Sequence, residues 1–399
     1  MKGRRWYLAV AWALVGSLAQ AATPGERLTE AVLGACVGLQ AQKTLREEAA
    51  DAAAGRFVQG GTLWVAGSVP RFDSEWLGRA GGLMPLSGMA APGDVGAADV
   101  LVYGCRVGAE EADAARLRAV RERQGLVIAV GPASAPKSLQ EAASFYLPVG
   151  LPADTPLFAQ ASASASLAAL WAFTGDLVGA CTRQGRMPTL WQSVMVPGSR
   201  ERNAKYRSQR FHDDVTVPPQ APGVLGERYL AGLCTALTGL RSQHGKIAAA
   251  GALVRRAVET RHTVFHANMG HFEPALLLGP DVTFALSVLP AKDPEADLKQ
   301  HGVAGDALLA VWYTAMPTAL LSAAREKQVA TACILAGNPT EARDQALADV
   351  LLDPQWVIGD AVVEVPGYDV RILPPSGVLN SAVFFAVLAD AQAGIAAAR

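Results

Sequence analysis

The chain repeats itself, and that repetition limits what it can fold into more than any other feature. Gly25-Glu26-Arg27 recurs as Gly226-Glu227-Arg228, an offset of 201 that holds without a gap for about forty residues. Gly38-Leu39 falls on Gly239-Leu240, Gln42 on Gln243, Ala49 on Ala250, and Thr62-Leu63-Trp64 on Thr263-Val264-Phe265. Farther on, Arg121-Glu122-Arg123-Gln124 answers Arg325-Glu326-Lys327-Gln328, and Ala168 to Asp176 answers Ala382 to Asp390. Three blocks in one order predict a tandem duplication, with copies over roughly 25–182 and 226–395.

Each copy carries the same alternation. In the first, a long helical segment (26–58) precedes strands at 62–67 and 99–104, an amphipathic helix at 110–124, strands at 126–131 and 145–150, and a closing helix at 164–182. The second runs in parallel, with strands at 263–267, 282–288, 306–312, 329–335 and 360–365 and helices at 317–327 and 378–393. Short, continuous apolar strands separated by amphipathic helices predict parallel sheets covered on both faces. The expected fold class is therefore α/β, with two tandem, doubly wound, flavodoxin-like sheets. Such sheets bind ligands at the carboxyl ends of their strands, which singles out the loops 67–76, 104–111, 268–273 and 313–318.

At 399 residues, 51% hydrophobic and 18% charged, the chain has room for two cores. Lys+Arg 35 against Asp+Glu 36 leaves no overall positive field to gather nucleic acid. The N-terminus places Lys2, Arg4 and Arg5 before an apolar run from Trp6 to Leu18 and then Ala19-Gln20-Ala21, the pattern of a cleaved export signal. That run is too short to cross ~30 Å of hydrocarbon, and no membrane span is expected in the mature protein. Arg4-Arg5 leaves both the general and the twin-arginine export routes open, to a periplasmic or secreted location. The expected division is a signal peptide (1–21), a first domain (22–190), a basic junction (191–225) and a second domain (226–399). Five scattered cysteines without a C-x-x-C read as small buried hydrophobes.

The segments "GGTLWVAGS", "ADVLVYG", "RERQGLVIAVG", "GDALLAVWYTA" and "AREKQVATACIL" resemble, in order and rhythm, the sugar isomerase (SIS) family of phosphosugar isomerases and phosphosugar-sensing regulators. The resemblance spans nearly the whole mature chain and implies two SIS-like domains packed about a pseudo-twofold. It also implies a Ser-Gly-x-Thr type phosphate loop after the strand "DVLVYG". This chain departs from that loop: the first copy has Gly104-Cys105-Arg106-Val107-Gly108, and the second has Tyr313-Thr314-Ala315-Met316-Pro317-Thr318. A phosphate would need other donors, and Arg71, Arg106 and the junction arginines offer bidentate forks.

The junction crowds Arg200, Arg202, Lys205, Arg207 and Arg210 into eleven positions. It either folds over an inter-copy cleft or runs as a solvated linker whose arginines pair with Glu201, Asp213 and Asp214. Trp191, Tyr206 and Phe211 argue for order. Aldose–ketose isomerisation needs a base and an acid, and the loop from His266 to Glu273 carries both types, with Glu273 and His271 as the pair. The competing reading puts His266 in the core and makes His271 and Glu273 a helix cap. Further ligand candidates are Ser68, Asn268, Thr314, Thr318 and His212. The histidines at 262, 266 and 271 match no standard zinc spacing, and no metal or cofactor is expected. Asp176 and Asp390 hold matched positions in the closing helices and read as solvated. Ser162, Ser164 and Ser166 read as a small-residue loop that caps the following helix or meets a sugar. Trp171, Phe173, Phe384 and Phe385 read as core or copy-to-copy interface. No G-x-G-x-x-G, Walker-type, G-x-S-x-G or H-E-x-x-H pattern occurs. The expected ligand is a carbohydrate derivative, a sugar, sugar acid or phosphosugar, held in an inter-domain cleft. A non-catalytic binder and an isomerase both remain open, as does a homodimer.

Overall fold

Thr23 starts the first helix by a reciprocal cap: its Oγ1 accepts the Glu26 N–H (3.2 Å) while Glu26 Oε2 accepts the Thr23 N–H (2.9 Å). Residues 22–270, 272–279, 282–313, 315–337 and 341–397 are described by the computed structural model. The first half runs α1 (Pro24–Ala41), α2 (Lys43–Val58), β1 (Leu63–Gly67), α3 (Phe72–Trp76), β2 (Leu86–Gly88), β3 (Val100–Gly104), α4 (Glu110–Glu122), β4 (Leu126–Pro132), α5 (Lys137–Gln140), β5 (Phe145–Val149) and α6 (Phe158–Arg183). One junction helix follows, α7 (Ser199–Tyr206). The second half runs α8 (Val224–Gly239), α9 (His244–Glu259), β6 (Val264–Asn268), β7 (Ser287–Val288), α10 (Pro294–His301), β8 (Ala307–Trp312), α11 (Thr318–Glu326), β9 (Ala330–Leu335), α12 (Ala342–Gln345), β10 (Val350–Leu352) and α13 (Ser376–Ala397).

Both sheets are parallel and share one strand order. The first is β2-β1-β3-β4-β5; the second, read from its β7 edge, is β7-β6-β8-β9-β10. Leu63 lies opposite Val100 in the first sheet, and Val264 lies opposite Ala307 in the second. The strands β3 and β4 are buried along their whole length, as sheets covered by helices on both faces require.

Several expectations need correction. The helical segment 26–58 is two helices, because the chain turns at Gln42, whose side-chain amide donates to Pro148 O (2.7 Å), and the Leu39 carbonyl at the end of the first accepts both the Gln42 N–H and Arg46. The strand foreseen over 282–288 shrinks to Ser287–Val288, with Thr283 drawn instead to Gln392. The segment 360–365 makes only a single antiparallel bridge, Val363 to Ile372, because Asp360 is turned to the start of α13. The fifth strand of that sheet is Val350–Leu352, paired with Ala332–Ile334. Ser162, Ser164 and Ser166 lie inside α6, where Ser166 Oγ bonds back to Ser162 O (2.9 Å) and Ser164 Oγ meets Ser381 Oγ of α13 (2.9 Å). Small side chains there let two central helices approach closely. By length and composition α6 and α13 are apolar enough to span a membrane, and both are largely buried within the protein. Trp171, Phe173, Phe384 and Phe385 are buried on them, as core and interface.

Asp176 is buried and Asp390 half-buried, and each is bonded to the other half rather than left to solvent. The Gly226 N–H, in the first turn of α8, donates to Asp176 Oδ1 (3.1 Å), and the Gly25 N–H, in the first turn of α1, donates to Asp390 Oδ1 (2.7 Å). Each closing helix thus caps the opening helix of the other half, a carboxyl oxygen accepting a first-turn N–H that has no partner within its own helix. The approach leaves no space for a side chain: a Cβ on Gly25 would stand 2.7 Å from Ala386 O, and one on Gly226 would stand 2.7 Å from Ala172 O and overlap Asp176 Oδ1. We expect Gly226→Ala to destabilise the fold by about 1–3 kcal/mol. Gly34→Ala, at a helical position with nothing within 4 Å, should be neutral or mildly stabilising. Urea denaturation of the two variants checks the contrast, and equal effects would refute the close-approach argument.

Candidate functional site

A cleft of about 610 Å³ opens at the carboxyl ends of the second sheet's strands. Its walls come from three places. Met269 follows β6 and Tyr313 and Ala315 follow β8, while Gly78 and Ala80 are contributed by the first half. The roof is the junction: Trp191 to Met195, Arg200, Asn203 and Ala204 on α7, and Arg207 at its C-terminal end. A smaller cavity of about 290 Å³ sits in the corresponding place on the first sheet, lined by Val69, Cys105, Arg106, Gln160 and Ser162 and closed by Leu276 to Gly279 of the second half. Each cavity is therefore completed by a loop from the opposite half, and only the larger one has the junction above it.

The five junction cations have different fates. Arg202 forks onto Asp369 (2.8 and 2.9 Å) and also donates to Leu190 O and Tyr368 Oη, both at 2.9 Å. Lys205 pairs with Asp214 (2.5 Å), and Arg210 holds the carbonyls of Gly60 and Gly61. Arg202 and Arg210 pin the junction to the body, and Lys205 ties it to itself. Asn203 adds a two-bond clasp on the Gln192 backbone (2.8 and 2.9 Å). Tyr206 and Phe211 are buried, the latter 4.8 Å from Phe57 by ring centroid. Arg200 and Arg207 remain: both are exposed, both line the cleft, and neither guanidinium makes a hydrogen bond or ion pair among the described residues.

The other singled-out residues are dispersed. Ser68 Oγ donates to Asp113 (2.6 Å) and accepts the Arg106 N–H (2.9 Å), so its hydroxyl is engaged. Arg106 reaches the smaller cavity; Arg71 is exposed in a left-handed conformation (φ 64°) before α3. Asn268 closes its own loop by accepting the Gly270 N–H (2.8 Å) and donating to Phe272 O (3.0 Å). Thr318 opens α11 and is exposed. His212 is buried and bonded to Tyr368 Oη (2.9 Å), away from the cleft. His271 and Thr314 lie outside the described residues.

Glu273 is held by two partners. Its Oε1 accepts the Ala275 N–H (3.0 Å), capping the short helix Pro274–Leu277, and lies 2.7 Å from His266 Nε2. His266 is fully buried, with Nδ1 on Leu309 O (2.8 Å) and its ring edge-on to Phe384. Burial raises the Glu273 carboxyl, but the imidazole and the amide outweigh it and leave it below its ordinary value.

Sequence reasoning missed the buried polar cluster beneath the cleft. Arg79 Nη2 donates to Asp360 Oδ2 (3.0 Å) and Ser376 Oγ (2.6 Å), and Asp360 accepts the Ser376 N–H (3.1 Å) at the start of α13. Glu75, on α3 and four residues before Arg79, brings Oε2 to 3.4 Å of Arg79 Nε, and its Oε1 accepts the Trp171 indole N–H (3.2 Å). The signal was an i,i+4 Glu–Arg pair within an apolar stretch.

No protein-family model matches the chain, and no curated protein sequence matches it. Its backbone does match solved structures. A protein from Salmonella typhimurium LT2 described as sugar-binding superimposes with a TM-score of 0.52 at 11% identity, over 92% of this chain and 98% of that one. The C-terminal domain of glucosamine-fructose-6-phosphate aminotransferase from Francisella tularensis gives a TM-score of 0.51 at 9% identity, over 91% and 96%. The fold is of the sugar isomerase type. In this SIS-type fold the cleft lies at the carboxyl ends of the strands, where open parallel sheets gather ligands.

One guanidinium serves two carboxyls in the cluster below. Asp360 is the better bonded, and burial pushes the Glu75 carboxyl from 4.5 up to about 7, with Arg79 only partly opposing it. A carboxyl with a raised folded-state pKa favours folding fully below its unfolded value, about 4.5, and that contribution fades as pH rises through about 7. Stability should therefore fall between pH 5 and 8, by on the order of 2 kcal/mol. Glu75→Gln should flatten this decline, and denaturant titrations across that range read the difference. An unchanged slope would show that Glu75 does not titrate there.

Proposed function

We propose that this protein binds an anionic sugar derivative, a sugar acid or a phosphosugar, in the cleft beneath α7 and does not transform it. The observation that carries this reading is the pair Arg200 and Arg207, two unpaired guanidinium groups lining one cleft of about 610 Å³. That volume suits a small ligand, and guanidinium is the side chain best matched to carboxylate or phosphate. Ser193 and Tyr313, whose hydroxyls lie 3.2 Å apart at the cleft wall, can bond sugar hydroxyls. The description of the Salmonella structure as sugar-binding agrees with this ligand class. The carboxylate that lines the cleft, Asp360, is bound to Arg79 and Ser376, which removes it as a base and favours binding over turnover. In this reading residues 1–21 direct export by the general or twin-arginine route, and the two halves descend from one duplicated unit joined by residues 191–225. Binding needs no second copy, because both halves of one chain supply the walls.

A second reading has one observation in its favour. Glu273, held below its ordinary pKa against His266, follows the β6 loop that supplies Met269 to the cleft, as the base of an aldose–ketose isomerase acting with His271 would require. The two readings separate by experiment. Thermal-shift and calorimetric titration with glucose 6-phosphate, glucuronate and glucose should show stabilisation by an anionic sugar and little by glucose. Arg200→Ala or Arg207→Ala should each weaken that binding about tenfold or more without lowering the melting temperature of the free protein. Absence of binding by any anionic sugar refutes the proposal. Turnover that Glu273→Gln abolishes, with affinity retained, would establish the isomerase instead.

A further inference from the structure

The larger cleft is apolar where a site for a bare hydroxylated sugar would be polar. Of its polar side chains, Asn203 is spent on the Gln192 backbone and Asp360 on Arg79 and Ser376. Beside the two arginines and the Ser193 and Tyr313 hydroxyls, the rest of the space is faced by the apolar side chains of Trp191, Val194, Met195, Met269 and Ala315. Three of these are held open to solvent, Val194 at 54%, Met195 at 53% and Met269 at 57% relative exposure. Large apolar side chains half open to water around a cavity mark a binding surface and not a core. The apolar wall continues beyond the mouth: a Cβ on Gly359 would lie 3.9 Å from Val196 Cγ2, and the residues just before it, Val357 and Ile358, are 57% and 68% exposed. Cations and apolar wall thus lie side by side, with Arg200 on α7, Arg207 at its C-terminal end, and Val194 and Met195 in the turn leading into it.

We infer that the ligand is amphipathic: an anionic sugar carrying an apolar substituent, an alkyl, acyl or aryl group of about four carbons or more. The anionic group sits at Arg200 and Arg207, and the apolar group lies along Val194, Met195 and Met269 toward Val357 and Ile358. This rests on the proposed binding of an anionic sugar in the same cleft and adds what the apolar wall is for. Phosphate and carboxylate share the chemistry read by the arginines, so the probes include one pair of each.

The test measures affinities of the full chain for glucuronate against butyl glucuronide, and for glucose 6-phosphate against butyl glucoside 6-phosphate, with butyl glucoside as the neutral control. Each methylene buried from water tightens binding about threefold to fourfold, so even a partly covered butyl chain should give about tenfold or more. In a Val194→Ser, Met195→Ser double variant, both sites being exposed and tolerant, that gain should vanish while the unsubstituted anion binds within about twofold of the parent protein. Equal affinity for substituted and unsubstituted anions would overturn the inference and leave the proposed function standing. The inference is also overturned if the butyl gain survives in the double variant. If butyl glucoside binds as tightly as its anionic counterparts, or no anionic sugar binds, the proposed function itself fails and this inference falls with it.

Discussion

Two carboxylates hold the halves of this molecule in register. Asp176 and Asp390 each reach from a buried closing helix to the first turn of the opposite half's opening helix, and Gly226 and Gly25 are the residues that let the helices come that close. A carboxylate at a helix N-terminus stabilises the free N–H groups there. Because the contact is reciprocal, it fixes the position of each sheet relative to the other, and both cavities depend on that position. Each is closed by a loop from the partner half, Gly78 and Ala80 in one case and Leu276 to Gly279 in the other. If the halves slid past one another, neither wall would be complete.

The two contacts are not equal in strength. Beside Asp176 lies Arg46, fully buried, which also pairs with Glu227 (2.6 Å). The position matching Arg46 in the second half is Ile247, and there Glu26 pairs instead with His244 (3.2 Å). A buried charge that lost its partner would be costly, so Arg46 makes the first contact the more specific of the two. The same asymmetry runs through the sites. One cavity is small and has Arg106 at its edge, while the other is larger and roofed by a helix that has no counterpart in the repeat.

That roof explains the concentration of cations between the halves. A short helix with a polar sequence has little intrinsic stability and little apolar surface to bury. It is held by Arg202 on Asp369, Lys205 on Asp214, Asn203 on Gln192, and by Tyr206 and Phe211 in the interior. With the helix pinned from several sides, Arg200 and Arg207 are presented to the cleft at small entropic cost. Below, the cluster of Glu75, Arg79, Asp360 and Ser376 ties a loop of the first half to the start of α13 and so sets the cleft floor.

The sequence by itself determined the fold class, the repeated order of helices and strands, and the burial of Trp171, Phe173, Phe384 and Phe385, because these follow from apolar periodicity, which is local. It did not reveal strand ends where pairing is marginal: 282–288 and 360–365 are apolar enough for strands, but Gln392 takes the Thr283 N–H, and the Asp360 carboxylate is drawn to the Ser376 N–H. Nor did it separate a small-residue loop from a small-residue helix at 160–166, since only the crossing of α13 makes small side chains necessary there. Asp176 and Asp390 looked like surface acids for the same reason, their partners being 50 and 365 residues away in the chain. Which of five junction cations face the cleft was decided by tertiary structure alone. A guanidinium pairs with whatever carboxylate folding brings near, and Asp369, which claims Arg202 and leaves Arg200 and Arg207 free, lies 167 positions along the chain from it.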